Sequence, residues 1–246
     1  MVLASVALAP RAEFTPAVID WAQRVPLGVP VSGVVQSVAV RPGDRVAAGA
    51  RLLNLDPTPF DASLTAARAR LEQAEADWAE AERAFQRTQE LYDRGVLATV
   101  ELDHAKLDHT RARTALEVAR SDVAVAQYRL DKSSLVAPFA AWVVAVDAEP
   151  GQVIASALQP PTLLVLGRAG RYLAQSRVSA EVAARFAPGT AVPVLASGSR
   201  YDGVVRSVGL EPVAAGSGGD PLYVLDVEFA SGDVLRVGSS ASLELP

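Results

Sequence analysis

The chain has 246 residues, half of them hydrophobic, a formal net charge of −5 and no cysteine. This supports one or two ordinary domains with an apolar core and excludes disulfides, thiol catalysis and cysteine-ligated metals. No basic run exceeds two residues, which argues against nucleic acid as a partner, and no 18-residue uncharged apolar stretch offers a membrane span.

Met1 to Pro10 is apolar and reads as a first strand over 2–9; the alternative is the stub of a removed signal or anchor. A second strand covers 13–19. Residues 32–46 (SGVVQSVAVRPGDRV) then align without gaps on 140–154 (AAWVVAVDAEPGQVI), so Pro42-Gly43 and Pro150-Gly151 fall 108 residues apart. Each copy closes with an apolar strand, 52–55 and 163–166. Two alternating strands joined by a Pro-Gly turn cannot bury an apolar face alone. The copies are therefore expected to face each other in one sandwich. Its expected core takes Val34, Val38, Val46 and Leu53 from one half and Val144, Val146, Ile154 and Leu164 from the other, with Trp142 as further filler.

Between the copies lie two heptad stripes. The first is Leu64, Leu71, Trp78, Phe85 and Tyr92; the second is Leu102, His109, Leu116, Val123 and Leu130. Small residues follow three positions after each of the first four members of both stripes, alanines except Thr88. Folded at residue 97, the large residues pair with numbers adding to 194 and the small ones to 193, as an antiparallel helical hairpin requires. The seven-residue period predicts a left-handed two-helix coiled coil, with arms of about 50 Å. Thr58 is the expected N-cap of the first helix with Pro59 after it, and Gly95 the expected stop after Arg94. Thr99 is expected to cap the second helix, which should end near Asp131.

After Gly167 the pattern changes to short strands at 171–178, 191–196, 201–209, 222–229 and 234–245. A helical turn is predicted over Ala180–Phe186 behind Ser179, and a mobile Gly/Ser loop over 214–219. Strand spacing of this kind predicts a small barrel. The fold class is thus α+β, elongated and multidomain. A split lipoyl-like β-sandwich (28–57 and 133–167) carries an inserted helical hairpin (58–132), and 1–27 with 168–246 form an antiparallel β-barrel.

No chemistry-bearing constellation emerges, and no catalytic, cofactor-binding or metal site is expected. His104 and His109 lie on different helix faces, and His109 occupies a seam position opposite Phe85, where a packed structural histidine is expected. Met1 is the only methionine, against soft-metal capture. No Ser/His/Asp ordering or G-x-S-x-G elbow occurs, and Gly216-Ser-Gly-Gly-Asp runs into Pro221 rather than a helix. Trp78 reads as seam filler. Glu72, Glu75, Glu80 and Glu82 read as a solvated face, or else as a lateral contact with a neighbouring copy.

The run from Val31 (VSGVVQSVAVRPGDRVAAGARLLNLDP), the alanine-rich hairpin, Val136-Ala-Pro-Phe and Glu149-Pro-Gly-Gln-Val-Ile together resemble the periplasmic adaptor subunits of tripartite efflux pumps, the HlyD-like membrane fusion proteins. The order half-lipoyl, hairpin, half-lipoyl, barrel carries the resemblance over nearly the whole chain. It implies a non-enzymatic periplasmic adaptor without cofactor, linking an inner-membrane transporter, with the resistance-nodulation-division class favoured, to an outer-membrane channel of the TolC type for efflux of small molecules. It also implies self-association into a ring, and attachment to the inner membrane through an anchor not present in this chain. The membrane-proximal domain of many members is likewise expected to be missing, since Pro246 falls where the barrel ends. In the family, the hairpin tip carries an arginine, a leucine four residues on and a serine seven further. Arg87 and Leu91 match, while Ala98 takes the serine position with Thr99 beside it. Ala140-Ala141 also replaces the Asp-Gly seen before the strand in many members.

Arg87, Leu91, Val96, Leu97 and Thr99 are therefore expected to form the channel-docking tip. The residues themselves give a motive, because apolar side chains at the free end of a polar arm have nothing in a short loop to cover them. An adaptor of an ATP-driven exporter and a coiled-coil scaffold without a transport role are the alternatives. A biotinyl or lipoyl carrier would need a lysine at a β turn, and neither 28–57 nor 133–167 contains one.

Overall fold

The computed structural model describes residues 13–156, 161–215 and 220–245. In chain order, β1 (Glu13–Trp21), β2 (Arg24–Leu27), β3 (Gly33–Val38), β4 (Arg45–Val46) and β5 (Arg51–Leu55) precede two long helices, α1 (Thr58–Asp93) and α2 (Thr99–Lys132). They are followed by β6 (Ser134–Val136), β7 (Ala141–Val146), β8 (Val153–Ile154), β9 (Leu164–Arg168), β10 (Arg171–Ser179), α3 (Ala180–Ala183) and β11 (Ala191–Ala196). Last come β12 (Ser199–Val208), β13 (Ala214–Ala215), β14 (Pro221–Ala230) and β15 (Ser240–Leu245).

The sandwich consists of two four-stranded sheets, ordered β2-β9-β7-β4 and β6-β5-β3-β8. Each sheet takes two strands from before the hairpin and two from after it, so neither half folds on its own sheet. The exchange follows a pseudo-two-fold with the 108-residue offset of the repeat. Gly43 N–H donates to Val143 O and Gly151 N–H to Val35 O, both at 2.8 Å. Both glycines sit at positive φ, +92° and +88°, which only a residue without Cβ adopts cheaply. The turn side chains repeat as well: Asp44 accepts from Arg41 N–H and Gln152 from Glu149 N–H.

Each half also carries a bulge, between Val35 and Ser37 and between Val143 and Ala145, again 108 residues apart. An extra residue shifts the side-chain alternation, which corrects the expected core. Val35 and Val143 are buried, while Val34 is 42% exposed and Val144 lies outside the core. Val46, Leu53, Ile154 and Leu164 are buried together, with Val38 and Val146 packed against them. Trp142 is a second correction: it is half-buried and outside the core, with the Arg45 guanidinium 5.9 Å from its ring centroid. Arg24–Leu27, expected with the barrel, pairs with β9 and belongs to the sandwich.

The barrel closes through β10-β1-β15-β11-β12-β14 and the pairing of β14 back to β10. Closure leaves no sheet edge among these six strands. Ile19, Tyr172, Val194, Leu225, Val227 and Leu243 fill it without exposure. Ser179 caps the short α3 by accepting from Val182 N–H. The strand expected over 234–245 is confined to β15. Before it, the segment 231–239 turns over the barrel end, and Leu235 N–H donates to the Tyr172 hydroxyl. The strand expected over 2–9 lies outside the described residues, as does 216–219 of the expected Gly/Ser loop. Ala214–Ala215 pair with β14.

Trp21 joins the two β units. Its ring stacks on Tyr172 with centroids 5.5 Å apart, and its indole covers Gly167 so closely that any Cβ there would overlap it.

Candidate functional site: the hairpin and its tip

The helices begin differently from expectation. Pro57 borders α1, and Thr58 is its first residue. The capping acceptor is Asp56, whose Oδ1 takes the Thr58 hydroxyl at 2.7 Å and the Thr58 N–H at 3.0 Å. These two bonds hold the Asp56 carboxyl below its ordinary pKa, the hydroxyl bond contributing most. Thr99 likewise lies one position inside α2, behind Ala98, which makes no side-chain cap. Both threonines thus sit one position inside their helices rather than at the cap.

The helices run antiparallel along the seam. Leu64, Ala67 and Ala126 are buried at the sandwich end, with Val123 and Leu130 against them. Phe60 and Leu130 also reach the sandwich core, which roots the hairpin. Leu116 and Ala119 are buried at mid-length, while Leu71 and Trp78 are half-buried. The indole Nε1 of Trp78 is shielded from water without an acceptor among the described residues. Nearer the tip, Phe85 and His109 stack at 5.4 Å between centroids, and His109 Nε2 meets Glu82 Oε2 at 2.5 Å. Tyr92 and Leu102 are the last half-buried seam pair.

The tip loop is a Schellman turn. Gly95, at φ +76°, donates to Tyr92 O at 2.8 Å, and Val96 N–H donates to Leu91 O at 2.9 Å. This closes α1 with its last carbonyls bonded and leaves the apolar side chains outside. Leu91 is 39% and Val96 65% exposed, and Leu97 is half-buried. Thr99 is exposed at the start of α2. Arg87 stands one turn below Leu91, with Nη2 3.3 Å from Glu80 Oε1, while Arg83 Nη2 is 2.7 Å from Glu80 Oε2. The two guanidinium groups, Arg83 foremost, hold the Glu80 carboxyl below its ordinary pKa. Val100, 63% exposed, extends the apolar tip and was missed from sequence. It lies two residues before seam Leu102 and one heptad before Leu107, itself 46% exposed on the same face.

Among the described residues, no helix is long and apolar enough to cross a membrane, and no group of three or more histidines and acids is placed to hold a metal.

A β-sandwich split by a helical hairpin is the barrel-sandwich hybrid unit of a membrane fusion protein, and here a closed six-stranded barrel accompanies it. Residues 23–166 match the family described as RND MFP, barrel-sandwich hybrid domain, and the chain belongs to it. It is similar to the macrolide export protein MacA of Escherichia coli O157:H7, 26% identical over 207 residues that cover 77% of this chain and 56% of MacA. It is also similar to the pyoverdine export membrane fusion protein PvdR of Pseudomonas aeruginosa, 29% identical over 201 residues, 75% and 51% of the two chains. The chain thus spans about half the length of the curated relatives it matches. Among solved structures, the membrane fusion protein Spr0693 from Streptococcus pneumoniae R6 superposes with a TM-score of 0.73 at 15% identity, covering 96% of this chain and 99% of that one. ZneB from Cupriavidus metallidurans does so at 0.54 and 21%, covering 94% and 96%. At such identities the likeness concerns the fold alone.

Proposed function

We propose that the chain is a periplasmic adaptor without catalytic activity, bridging an inner-membrane transporter and an outer-membrane channel of the TolC type to export small molecules. The observation that carries this is the exposure of Leu91, Val96 and Val100 at the free end of a rooted helical arm, with Arg87 one turn below Leu91. The arm is about 50 Å long at 1.5 Å per residue, a span that suits bridging rather than chemistry. The seven-residue seam supports reading it as a two-stranded coiled coil. A resistance-nodulation-division transporter is the favoured inner partner, because the matched family carries that description. Membrane fusion and export in the relatives' names support the same role. Several copies would assemble into a ring whose hairpins point at the channel, each held at the inner membrane.

The test is Arg87→Asp with Leu91→Ser in an efflux assay, with circular dichroism to establish an intact hairpin. Export should fall at least tenfold. Unchanged export by the folded double mutant would remove the tip from the mechanism.

A further inference from the structure

We propose that Glu80 is a positioning residue for Arg87, holding its guanidinium back along the flank of α1, so that the partner docks against the side of the last turns rather than on the end loop. This rests on the tip-docking reading above and narrows its surface from the end loop to the α1 flank that carries Arg87 and Leu91.

The argument starts from the spacing. Residues 80 and 87 are one heptad apart, so they share a helix face, with their Cα atoms about 10 Å apart along the axis. Leu91, one turn beyond Arg87, flanks the same face. Helical side chains lean toward the N-terminus, and the contact with Glu80 at 3.3 Å draws Arg87 further that way. The guanidinium therefore lies back along the helix, away from Val96 and Leu97. Glu80 is the only carboxylate paired with Arg87 among the described residues. Its own orientation is fixed from the other side, since Arg83 takes the second oxygen at 2.7 Å.

The three groups together leave one net positive charge on the helix face that also carries Leu91, partly exposed one turn beyond Arg87. That combination fits a helical partner surface offering a carboxylate or free carbonyl next to an apolar side chain. A partner approaching the flank meets an arginine already in place. A partner approaching the end loop would first have to break the Glu80 contact and swing the guanidinium through about two helical turns. Glu80 thus gives the two approaches opposite consequences: its loss weakens flank docking and favours end-on docking.

The experiment measures binding of the whole chain to immobilised, purified TolC of Escherichia coli as the probe, for wild type, Glu80→Gln, Glu80→Asp, Arg87→Gln and the double mutant Glu80→Gln/Arg87→Gln. Glu80→Gln should weaken binding about two- to fivefold, the scale of an exposed ion pair. Glu80→Asp, which keeps the charge but loses reach, should weaken it equally. In the Arg87→Gln background the Glu80 substitution should have no further effect. The heteronuclear NOE of Arg87 Nε–H should fall in both Glu80 variants while the melting temperature stays put, which a purely structural role would not produce. Unchanged or tighter binding by Glu80→Gln, or wild-type binding by Glu80→Asp, alongside a weakened Arg87→Gln, overturns the inference and leaves tip docking standing. Absence of wild-type binding, or an Arg87→Gln variant equal to wild type, overturns the docking reading and this inference with it.

Discussion

The two ends of the hairpin follow one heptad pattern and reach different degrees of burial. At the sandwich end, the seam residues Leu64, Ala67 and Ala126 are 5%, 3% and 5% exposed; at the free end, the seam pair Tyr92 and Leu102 is only half-buried, and their neighbours Leu91 and Val96 are 39% and 65% exposed. Two helices alone can bury only the strip between them. Burial at the root is greater because Phe60 and Leu130 continue the seam into the β core. At the tip nothing continues it, so the same apolar composition becomes surface. A heptad repeat therefore states which residues face the partner helix, but not how dry the seam is at each level.

The contrast can be broken by paired truncation. Leu64→Ala should cost about 2–4 kcal/mol in chemical denaturation, the range for a buried leucine, whereas Leu91→Ala should cost less than about 1 kcal/mol, since much of its surface is already wet. Equal losses would mean that the tip is packed like the root.

Second in size is a test of the frame that carries the arm. A Cβ at Gly203 would lie 2.5 Å from Val192 O and 2.6 Å from a Val227 methyl, so Gly203→Ala should destabilise the barrel by about 1–3 kcal/mol, read from its melting. Replacing 65–125 with a short turn should, by contrast, leave a cooperatively melting β protein, because Phe60 and Leu130 remain and each sandwich sheet already draws strands from both sides of the insertion. Loss of cooperativity there would make the hairpin part of the core.

The smallest effect is electrostatic and sits at the root. Asp56 has its pKa lowered in the folded chain by its bonds to Thr58. Its contribution is present in full above its unfolded value, about pH 4, and is lost as pH falls through the lower folded value. Asp56→Asn should therefore flatten the acid limb of the melting temperature below about pH 4. An unchanged acid limb would mean that the cap does not titrate with folding.

How much of this was legible in the sequence differs between the units. The repeat offset of 108 residues reappears as hydrogen bonds between Gly43 and Val143 and between Gly151 and Val35, because a Pro-Gly turn leaves a local trace. The bulges at 36 and 144 leave none, so strict alternation points to Val34 and Val144 as core, where Val35 and Val143 are the buried residues. Strand exchange was also hidden: β2 looks like any short strand until β9 is beside it. At the tip, Gly95 announced the stop of α1. Thr58 and Thr99 were each placed one position early, since a cap is decided by backbone dihedrals that residue type only biases. Val100 lies off the heptad stripe, so seam periodicity does not mark it.

The central claim, that this tip meets an outer-membrane channel, is open to a direct measurement because the chain has no cysteine of its own. A single cysteine at Arg94, one heptad beyond Arg87 on the same face, can carry a photoactivatable cross-linker in cells. One at Val153, 74% exposed on the sandwich, serves as the comparison. Illumination should join the tip variant, but not the sandwich variant, to an outer-membrane protein identified by mass spectrometry as the channel. Channel adducts from Val153→Cys with none from Arg94→Cys would contradict the account.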